Sequence, residues 1–392
     1  MNKHLQTGLI HSDYIAPAGF RACQPPVYHA STVLFETVEQ MRNQQWHSKD
    51  GYTYGLHGTP GTFELEARLA EIEGGNHCIL APSGLAALAM VNLACLASGD
   101  DVLLPDNVYS PHKSLSDWLA RDFGITARYY HPMVGAGISD LMLLNTRLIW
   151  IEGPGSVSFE VPDVAAICRA AHQQKVLVAM DNTWSAGLAF KPFEHGVDIV
   201  MQALTKYQSG GSDVLMGAVI TRDDKLTRRL ATTHMRLGYG VSGDDVYLVS
   251  RSLATLKLRF DAHDKAARSV ATWLSQRPEI ATILHPAFPD CPGHAIWKRD
   301  FTGAGGIFSV LFDPAYSERQ TDAFVDQLKL FKIGFSWGGS HSLCLPYRMA
   351  DTRQEWHQRG QLVRFNIGLE DVRDLIADID QALRHLGVPE AS

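Results

Sequence analysis

Apolar segments of strand-like length alternate with helix-forming segments over residues 61–250, and this alternation constrains the fold more than any other feature. The strand-like segments are residues 77–82, 101–105, 147–152, 176–180, 199–202 and 214–220. Residues 62–73 are expected to form a helix that begins at a threonine cap, and Ser83 and Gly84 to open a second helix that runs to residue 97. The pattern predicts an α/β fold with a mostly parallel, doubly wound sheet.

Polar residues follow three of these predicted strands. Ser83 follows the first, Asp181 follows the strand at 176–180, and Lys206 lies shortly after the strand at 199–202. In doubly wound sheets the ligand binds at the carboxyl ends of the strands. We therefore expect these residues to line a binding site.

A lysine and an aspartate at the ends of buried strands suit the chemistry of pyridoxal phosphate (PLP). Lysine holds this cofactor as a Schiff base, and a carboxylate keeps the pyridine nitrogen protonated so that the ring accepts electrons. Taken singly, Lys206 is better explained as a solvated surface residue, and Asp181 is also explained as a turn or helix N-cap residue. The ordered arrangement with a glycine-rich exit at 208–212 favours PLP, and the pattern alone leaves both interpretations open.

Composition excludes several classes of protein. Hydrophobic residues make up 45% and charged residues 20%, which predicts a well-packed chain of two or three domains rather than a disordered one. The net charge is -7 and no basic run is present, which argues against nucleic acid as a partner. No apolar stretch approaches the length of a membrane span and no signal-peptide core is visible, so neither a membrane partner nor export is expected.

Cysteine and histidine spacing bears on compartment and metals. The six cysteines show no C-x-x-C spacing, as expected of reduced thiols in the cytoplasm. The 17 histidines form no H-E-x-x-H or similar pair, so no metal site is expected.

Three regions are predicted. Residues 1–60 are aromatic and rich in turn formers, which indicates an arm that wraps another surface; residues 61–250 form the large domain; and residues 251–392 form a smaller α+β domain. The last helix of the small domain is the clearest, with Glu370 and Asp371 in its first turn. Its apolar face comprises Leu369, Val372, Leu375, Ile376, Ile379 and Leu383.

Beyond these patterns, the chain resembles the PLP-dependent enzymes of cysteine and methionine trans-sulfuration, and within them the bacterial cystathionine β-lyases. The resemblance spans over 300 residues, far more than one motif supplies. It is densest in residues 71–75 (EIEGG), 81–84 (APSG), 152–156 (EGPGS), 181–187 (DNTWSAG), 205–207 (TKY), 297–303 (WKRDFTG), 336–339 (SWGG) and 364–371 (RFNIGLED). It implies the aminotransferase-like PLP fold (fold type I).

The resemblance also implies roles at the cofactor. Lys206 matches the lysine that carries PLP and removes the substrate Cα proton, and Asp181 matches the carboxylate that pairs with the pyridinium nitrogen. Tyr109 matches a tyrosine that stacks on the cofactor ring and takes part in catalysis. The phosphate cradle at a helix N-terminus corresponds to Ser83, Gly84 and Leu85, and Thr205 also belongs to the cofactor-binding set.

Further roles concern substrate and assembly. Arg364 matches the arginine that binds the substrate α-carboxylate, because a planar guanidinium fits two oxygens. Ser336 and Trp337 match the loop that lines the substrate side chain, and Trp337 is the best indication of β- rather than γ-elimination. Tyr54 matches a tyrosine that reaches the neighbouring subunit's catalytic, cofactor and substrate groups. A homotetramer built from active dimers is therefore expected.

The chain departs from the family pattern at three positions. Leu56, followed by His57, stands where many relatives have a phosphate-binding arginine, and Ala203 stands where many have a serine. His341 stands where relatives often have glutamate.

The implied activity is PLP-dependent β-elimination of L-cystathionine, an amino-acid thioether, to homocysteine, pyruvate and ammonia. A cysteine desulfhydrase or broad carbon–sulfur lyase, a cystathionine γ-synthase-like transferase and a catalytically silent regulator are the alternatives.

Overall fold

Two β-sheets with helices packed around them form the structure, a computed structural model that describes residues 4–11, 14–15, 18–19, 22–348 and 360–387. The strands of the large sheet are β1 (His77–Ala81), β2 (Asp101–Pro105), β3 (Thr126–Tyr130), β4 (Thr146–Glu152), β5 (Leu177–Asp181), β6 (Ile199–Ala203) and β7 (Gly217–Thr221). Their spatial order is β1-β7-β6-β5-β4-β2-β3. Strand β7 runs antiparallel to both neighbours, and the remaining pairings are parallel, so the predicted, mostly parallel sheet is present.

The small sheet contains β8 (Ile280–Leu284), β9 (Ile307–Phe312), β10 (Leu343–Tyr347) and β11 (Leu362–Asn366) in the antiparallel order β10-β11-β9-β8. The α-helices described are α1 (Leu5–Ile10), α2 (Val38–Asn43), α3 (Pro60–Glu73), α4 (Gly84–Cys95), α5 (Ser110–Phe123), α6 (Val164–Gln173), α7 (Asp224–Leu237), α8 (Gly243–Leu253), α9 (Leu256–Leu274), α10 (His294–Asp300), α11 (Glu318–Asp326) and α12 (Val372–Leu383). None of the helices in the described residues is long and apolar enough to cross a membrane.

Several predicted boundaries need correction. Helix α3 starts at Pro60 rather than Thr62, because Thr59 is the cap and Thr62 completes a reciprocal capping box with it. Asp371 is the N-cap of α12, which begins at Val372, so neither Glu370 nor Asp371 lies in its first turn. Strand β3 was not predicted, because it lies at the sheet edge, where its residues 126–130 (TARYY) carry no continuous apolar run.

One face of the small sheet packs against α9, α11 and α12, and the other face contacts Val157, in the loop that follows β4. Cys344, Val363 and Phe365 are buried in the core formed with α9, α11 and α12. Strand residues alternate between faces, so Arg364 points the other way. On that second face Ser309 Oγ donates to the Val157 carbonyl oxygen at 2.7 Å. This bond joins the small sheet and its helices (the small unit) to the large sheet and its helices (the large unit), next to the site described below.

Candidate active site

Two carboxylates and a lysine lie together where three parallel strands end, along the edge of the large sheet that is formed by the carboxyl ends of these strands. Glu152 ends β4, Asp181 ends β5, and the two are paired in register. Lys206 follows β6, which pairs with β5. The adjacency of these groups is therefore a direct consequence of strand order.

Asp181 is held by Thr183 on one side only. Its Oδ1 accepts the Thr183 N–H at 2.9 Å and the Thr183 hydroxyl at 2.5 Å, and the same hydroxyl accepts the Ala203 N–H at 2.9 Å. Within the described chain, Oδ2 has no donor. Burial raises the pKa of Asp181, while the Thr183 bonds and the Lys206 charge oppose that rise.

Glu152 shares this environment. Burial raises its pKa well above the usual range, and the neighbouring Asp181 carboxylate raises it further. Its Oε2 accepts the Tyr109 N–H at 2.8 Å. Two adjacent carboxyl groups that are both desolvated do not ionise independently, so one of them keeps its proton more readily than the other.

The Lys206 amine lies between this edge and a loop of the small unit. Its Nζ donates to Ser336 Oγ at 2.8 Å and lies 5.4 Å from the centroid of the Trp337 ring. Burial lowers the pKa of Lys206 to about 8, the nearby Arg364 charge lowers it as well, and Asp181 opposes both. A neutral amine is therefore accessible close to physiological pH.

The loop that carries Ser336 and Trp337 is fixed by a neighbouring strand. Ser336 has φ 93°, a strained backbone conformation for a residue with a side chain. Asn366, at the end of β11, accepts the Gly338 N–H at 3.0 Å and donates to the His341 carbonyl oxygen at 3.0 Å. The strand that carries Arg364 thus also positions the loop beside Lys206.

Arg364 is a buried cation, with only 8% of its surface exposed. Its guanidinium carbon lies 4.9 Å from the centroid of the Tyr347 ring. Among the described residues, no carboxylate pairs with it. A desolvated guanidinium without an acidic partner is a ready site for an anionic ligand group.

The N-terminus of α4 closes the same edge of the sheet. Ser83 Oγ caps the helix by accepting the Ala86 N–H at 3.0 Å. The N–H groups of Gly84 and Leu85 have no acceptor in the described chain. A Cβ on Gly84 would stand 2.8 Å from the Ala203 Cβ, so only glycine permits this close approach of the helix to β6.

Comparison with known proteins settles the family. The family model for Cys/Met metabolism PLP-dependent enzymes matches residues 6–384. The chain belongs to this family. A putative cystathionine β-lyase of Rhizobium johnstonii is 42% identical over 97% of this chain and 96% of its own length. A cystathionine β-lyase of Bordetella avium is 39% identical over 97% and 98%.

Solved structures agree with this assignment. The cystathionine γ-synthase of Xanthomonas oryzae pv. oryzae, in complex with aminoacrylate and cysteine, superimposes with a TM-score of 0.90 at 27% identity, covering 98% of this chain and 99% of that one. The predicted family, fold class and cofactor are therefore confirmed: the chain is a PLP-dependent enzyme of cysteine and methionine metabolism that acts on an amino-acid substrate.

The residues present fit PLP. The free N–H groups of Gly84 and Leu85 at a helix N-terminus suit a phosphate. Asp181 Oδ2, which accepts no hydrogen bond from the described residues, suits a protonated ring nitrogen, and the Lys206 amine suits the cofactor aldehyde.

The structure places the other predicted residues less centrally. The Thr205 hydroxyl, which we expected to bind the cofactor, accepts the Met216 N–H at 3.3 Å and donates to the Met216 carbonyl oxygen at 3.4 Å. Tyr54 is 47% exposed in the N-terminal segment, where its ring meets His57, and no hydrogen bond joins it to Lys206 in the described chain. His57 bonds Thr53 Oγ1 at 2.8 Å. In this single chain the structure therefore does not bring Tyr54 to Lys206.

A buried polar network behind the site was missed from sequence. Glu73, at the end of α3, accepts from Asn182 Nδ2 at 3.0 Å and from the Gln202 side chain. Gln202 also accepts from Gln208 Nε2 at 3.0 Å. Glu73 thus links Asn182, which follows Asp181, to Gln202 on β6, and through Gln202 it is connected to Gln208 in the turn after Lys206. The EIEGG motif was a signal of its presence, but motif matching did not indicate its partners.

Tyr347 and Glu152 were missed as well. Glu152 had a signal, since it ends a strand within a matched motif. Tyr347 had none, because only the pairing of β10 with β11 brings it to Arg364.

Proposed function

We propose that the protein is a carbon–sulfur β-lyase that cleaves L-cystathionine with water to homocysteine, pyruvate and ammonia. The observation that carries the proposal is that the Lys206 amine lies near both the Asp181 carboxylate and the Arg364 guanidinium, for which the described residues supply no carboxylate partner, and beside Trp337. The similarity to cystathionine β-lyases over nearly the whole chain supports this substrate.

The residues divide the work by charge. When bound, PLP supplies an electron sink that stabilises negative charge at the substrate Cα. Asp181, where the Thr183 hydrogen bonds and the Lys206 charge favour the carboxylate against burial, would keep the ring nitrogen protonated, and Glu152 accepts the Tyr109 N–H beside it. Gly84 and Leu85 bind the phosphate, with Ser83 capping their helix and Thr205 bracing the turn before Lys206.

Substrate binding and proton transfer fall to the remaining groups. Arg364 receives the α-carboxylate, a contact worth about 1.5–3 kcal/mol. Lys206 Nζ, with its pKa near 8, removes the Cα proton and returns it to the departing thiolate sulfur after the Cβ–S bond breaks. Ser336 and Trp337 hold the Lys206 amine in place, and Tyr109, whose N–H is bound by Glu152, would contact the cofactor ring.

Assembly and compartment are part of the proposal. The exposed ring of Tyr54 supports an arm, residues 1–60, that reaches the catalytic, cofactor and substrate groups of a neighbouring subunit in a homotetramer of active dimers. Residues 61–250 and 251–392 are the large and small domains. All six cysteines are free, which supports a reducing, cytoplasmic setting.

Product identification tests the reaction. PLP-saturated protein is mixed with L-cystathionine, and the keto acid and thiol are identified. Pyruvate with homocysteine supports the proposal, whereas 2-oxobutyrate with cysteine contradicts it and indicates γ-elimination. Parallel reactions with L-cysteine alone, and with an O-acylated homoserine plus cysteine, report desulfhydrase and γ-replacement activity.

Lys206→Ala tests the assignment of the base. We expect turnover to fall to background, while the exposed-lysine control Lys225→Ala turns over like the wild type. Substantial pyruvate release by Lys206→Ala would remove Lys206 from the central role.

A further inference from the structure

Tyr347 and Arg364 lie on the same face of the small sheet. Leu345 is the register partner of Arg364 on the adjacent strand, and Tyr347 stands two positions beyond Leu345. Side chains two residues apart share a face, and diagonal neighbours lie within reach of an aromatic ring. The 4.9 Å separation of the Arg364 guanidinium carbon from the Tyr347 ring centroid is that contact.

Burial makes this contact consequential. Arg364 is 8% exposed, and its charge lies close enough to Lys206 to lower the pKa of that amine. A desolvated guanidinium needs an attractive interaction with a partner, whether Lys206 is free or holds the cofactor. In the described chain no carboxylate supplies it, and the electron-rich face of Tyr347 does.

The Tyr347 ring is itself held in place. It packs against the small cluster of Leu284, Leu311 and Leu362, together with Val157 from the large unit. Such packing fixes the position of the ring, and the guanidinium beside it is held in place by the cation–π contact.

We propose that Tyr347 is a positioning residue of the substrate carboxylate subsite: its ring stacks on Arg364 and orients the guanidinium fork toward the α-carboxylate. This inference rests on the proposed role of Arg364. Tyr347 thereby contributes to the selection of ligands that carry an α-carboxylate over those that do not.

The test compares two ligands that differ in that group. The visible absorbance of the PLP-loaded protein is titrated with L-alanine and with L-alaninamide, which lacks the carboxylate charge. In Tyr347→Leu we expect the Kd for L-alanine to rise about tenfold and that for L-alaninamide to change by less than about twofold. Tyr347→Phe keeps the ring but loses the hydroxyl that also interacts with the guanidinium, so its Kd for L-alanine is expected to lie between those of the wild type and Tyr347→Leu.

Two controls separate positioning from a general loss of structure. Tyr129→Leu removes a different ring, 4.5 Å from the Lys113 amine, and is expected to change neither Kd. In an Arg364→Gln background, Tyr347→Leu should add no further loss for L-alanine, because the two residues act as one unit.

Equal weakening of both ligands in Tyr347→Leu, or additive losses with Arg364→Gln, would overturn the inference. An Arg364→Gln variant that binds L-alanine like the wild type would overturn it too. None of these titrations depends on cystathionine cleavage, so a failure of the proposed reaction is distinguished by the product assay.

Discussion

Glu73 is a carboxyl group almost completely removed from water, so it tests most directly how burial raises a pKa and makes the stability of this protein depend on pH. Only 2% of its surface is exposed. Burial raises its pKa from 4.5 to about 7, although Asn182, Lys191 and Gln202 all act in the opposite direction. The folded state therefore binds a proton at Glu73 more tightly than the unfolded state does.

The magnitude follows from the shift. A change of one pKa unit corresponds to about 1.4 kcal/mol, so this shift corresponds to about 3 kcal/mol. Because the folded-state pKa is raised, the favourable contribution is complete below pH 4.5 and is lost as the pH rises through about 7. Glu73→Gln resembles the protonated carboxyl group but does not titrate, so it lacks this pH-dependent loss.

Thermal unfolding of wild type and Glu73→Gln between pH 4.5 and 8 measures the difference. We expect the free energy of unfolding of the variant to gain about 3 kcal/mol on the wild type across this range, a shift of several degrees in relative Tm. A constant offset from altered hydrogen bonding does not affect this slope. Glu71→Gln, an exposed position on the same helix, is the matched control and is expected to follow the wild type.

A Tm difference between Glu73→Gln and wild type that stays constant from pH 4.5 to 8 would refute the reasoning. It would mean that Glu73 is ionised in the folded protein across the whole range, with Lys191 and the two amides compensating for burial.

Two further changes probe the cofactor cradle and the small-unit core. Gly84→Ala places a methyl group 2.8 Å from the Ala203 Cβ, so we expect PLP affinity, measured by equilibrium dialysis, to fall about tenfold. In the control Gly137→Ala the added Cβ meets only Val134, at 3.5 Å, and PLP affinity should not change. Equal PLP affinities of Gly84→Ala and the wild type would show that α4 shifts at no cost. Phe365→Ala removes a fully buried ring that stacks on Phe308, so we expect the free energy of unfolding, measured in urea, to fall by about 3–5 kcal/mol. The control Phe335→Ala removes an exposed ring and should change this free energy little. A fall below about 1 kcal/mol for Phe365→Ala would mean that the core closes over the space.

The strands that carry the site residues could be predicted from the sequence, because local patterns of apolar residues encode them. Apolar runs predicted β1, β2, β4, β5 and β6 to within about two residues at each boundary, since buried parallel strands are continuously hydrophobic. The start of α3 was placed two residues late, because both Thr59 and Thr62 are capping residues and only the folded chain distinguishes their roles. Edge strand β3, half exposed and polar, gave no periodic signal.

By itself, the sequence determined the family, the cofactor and most strands of the large sheet, because ordered motifs and hydrophobic runs are local properties of the chain. It also placed Asp181 and Lys206 at strand ends. Tertiary structure alone decided which distant groups meet them. Lys206 and Ser336 are 130 residues apart, and Glu73 reaches Gln202 across 129. Tyr347 reaches Arg364 only through strand register. Such contacts arise from packing and pairing, which a linear pattern does not encode.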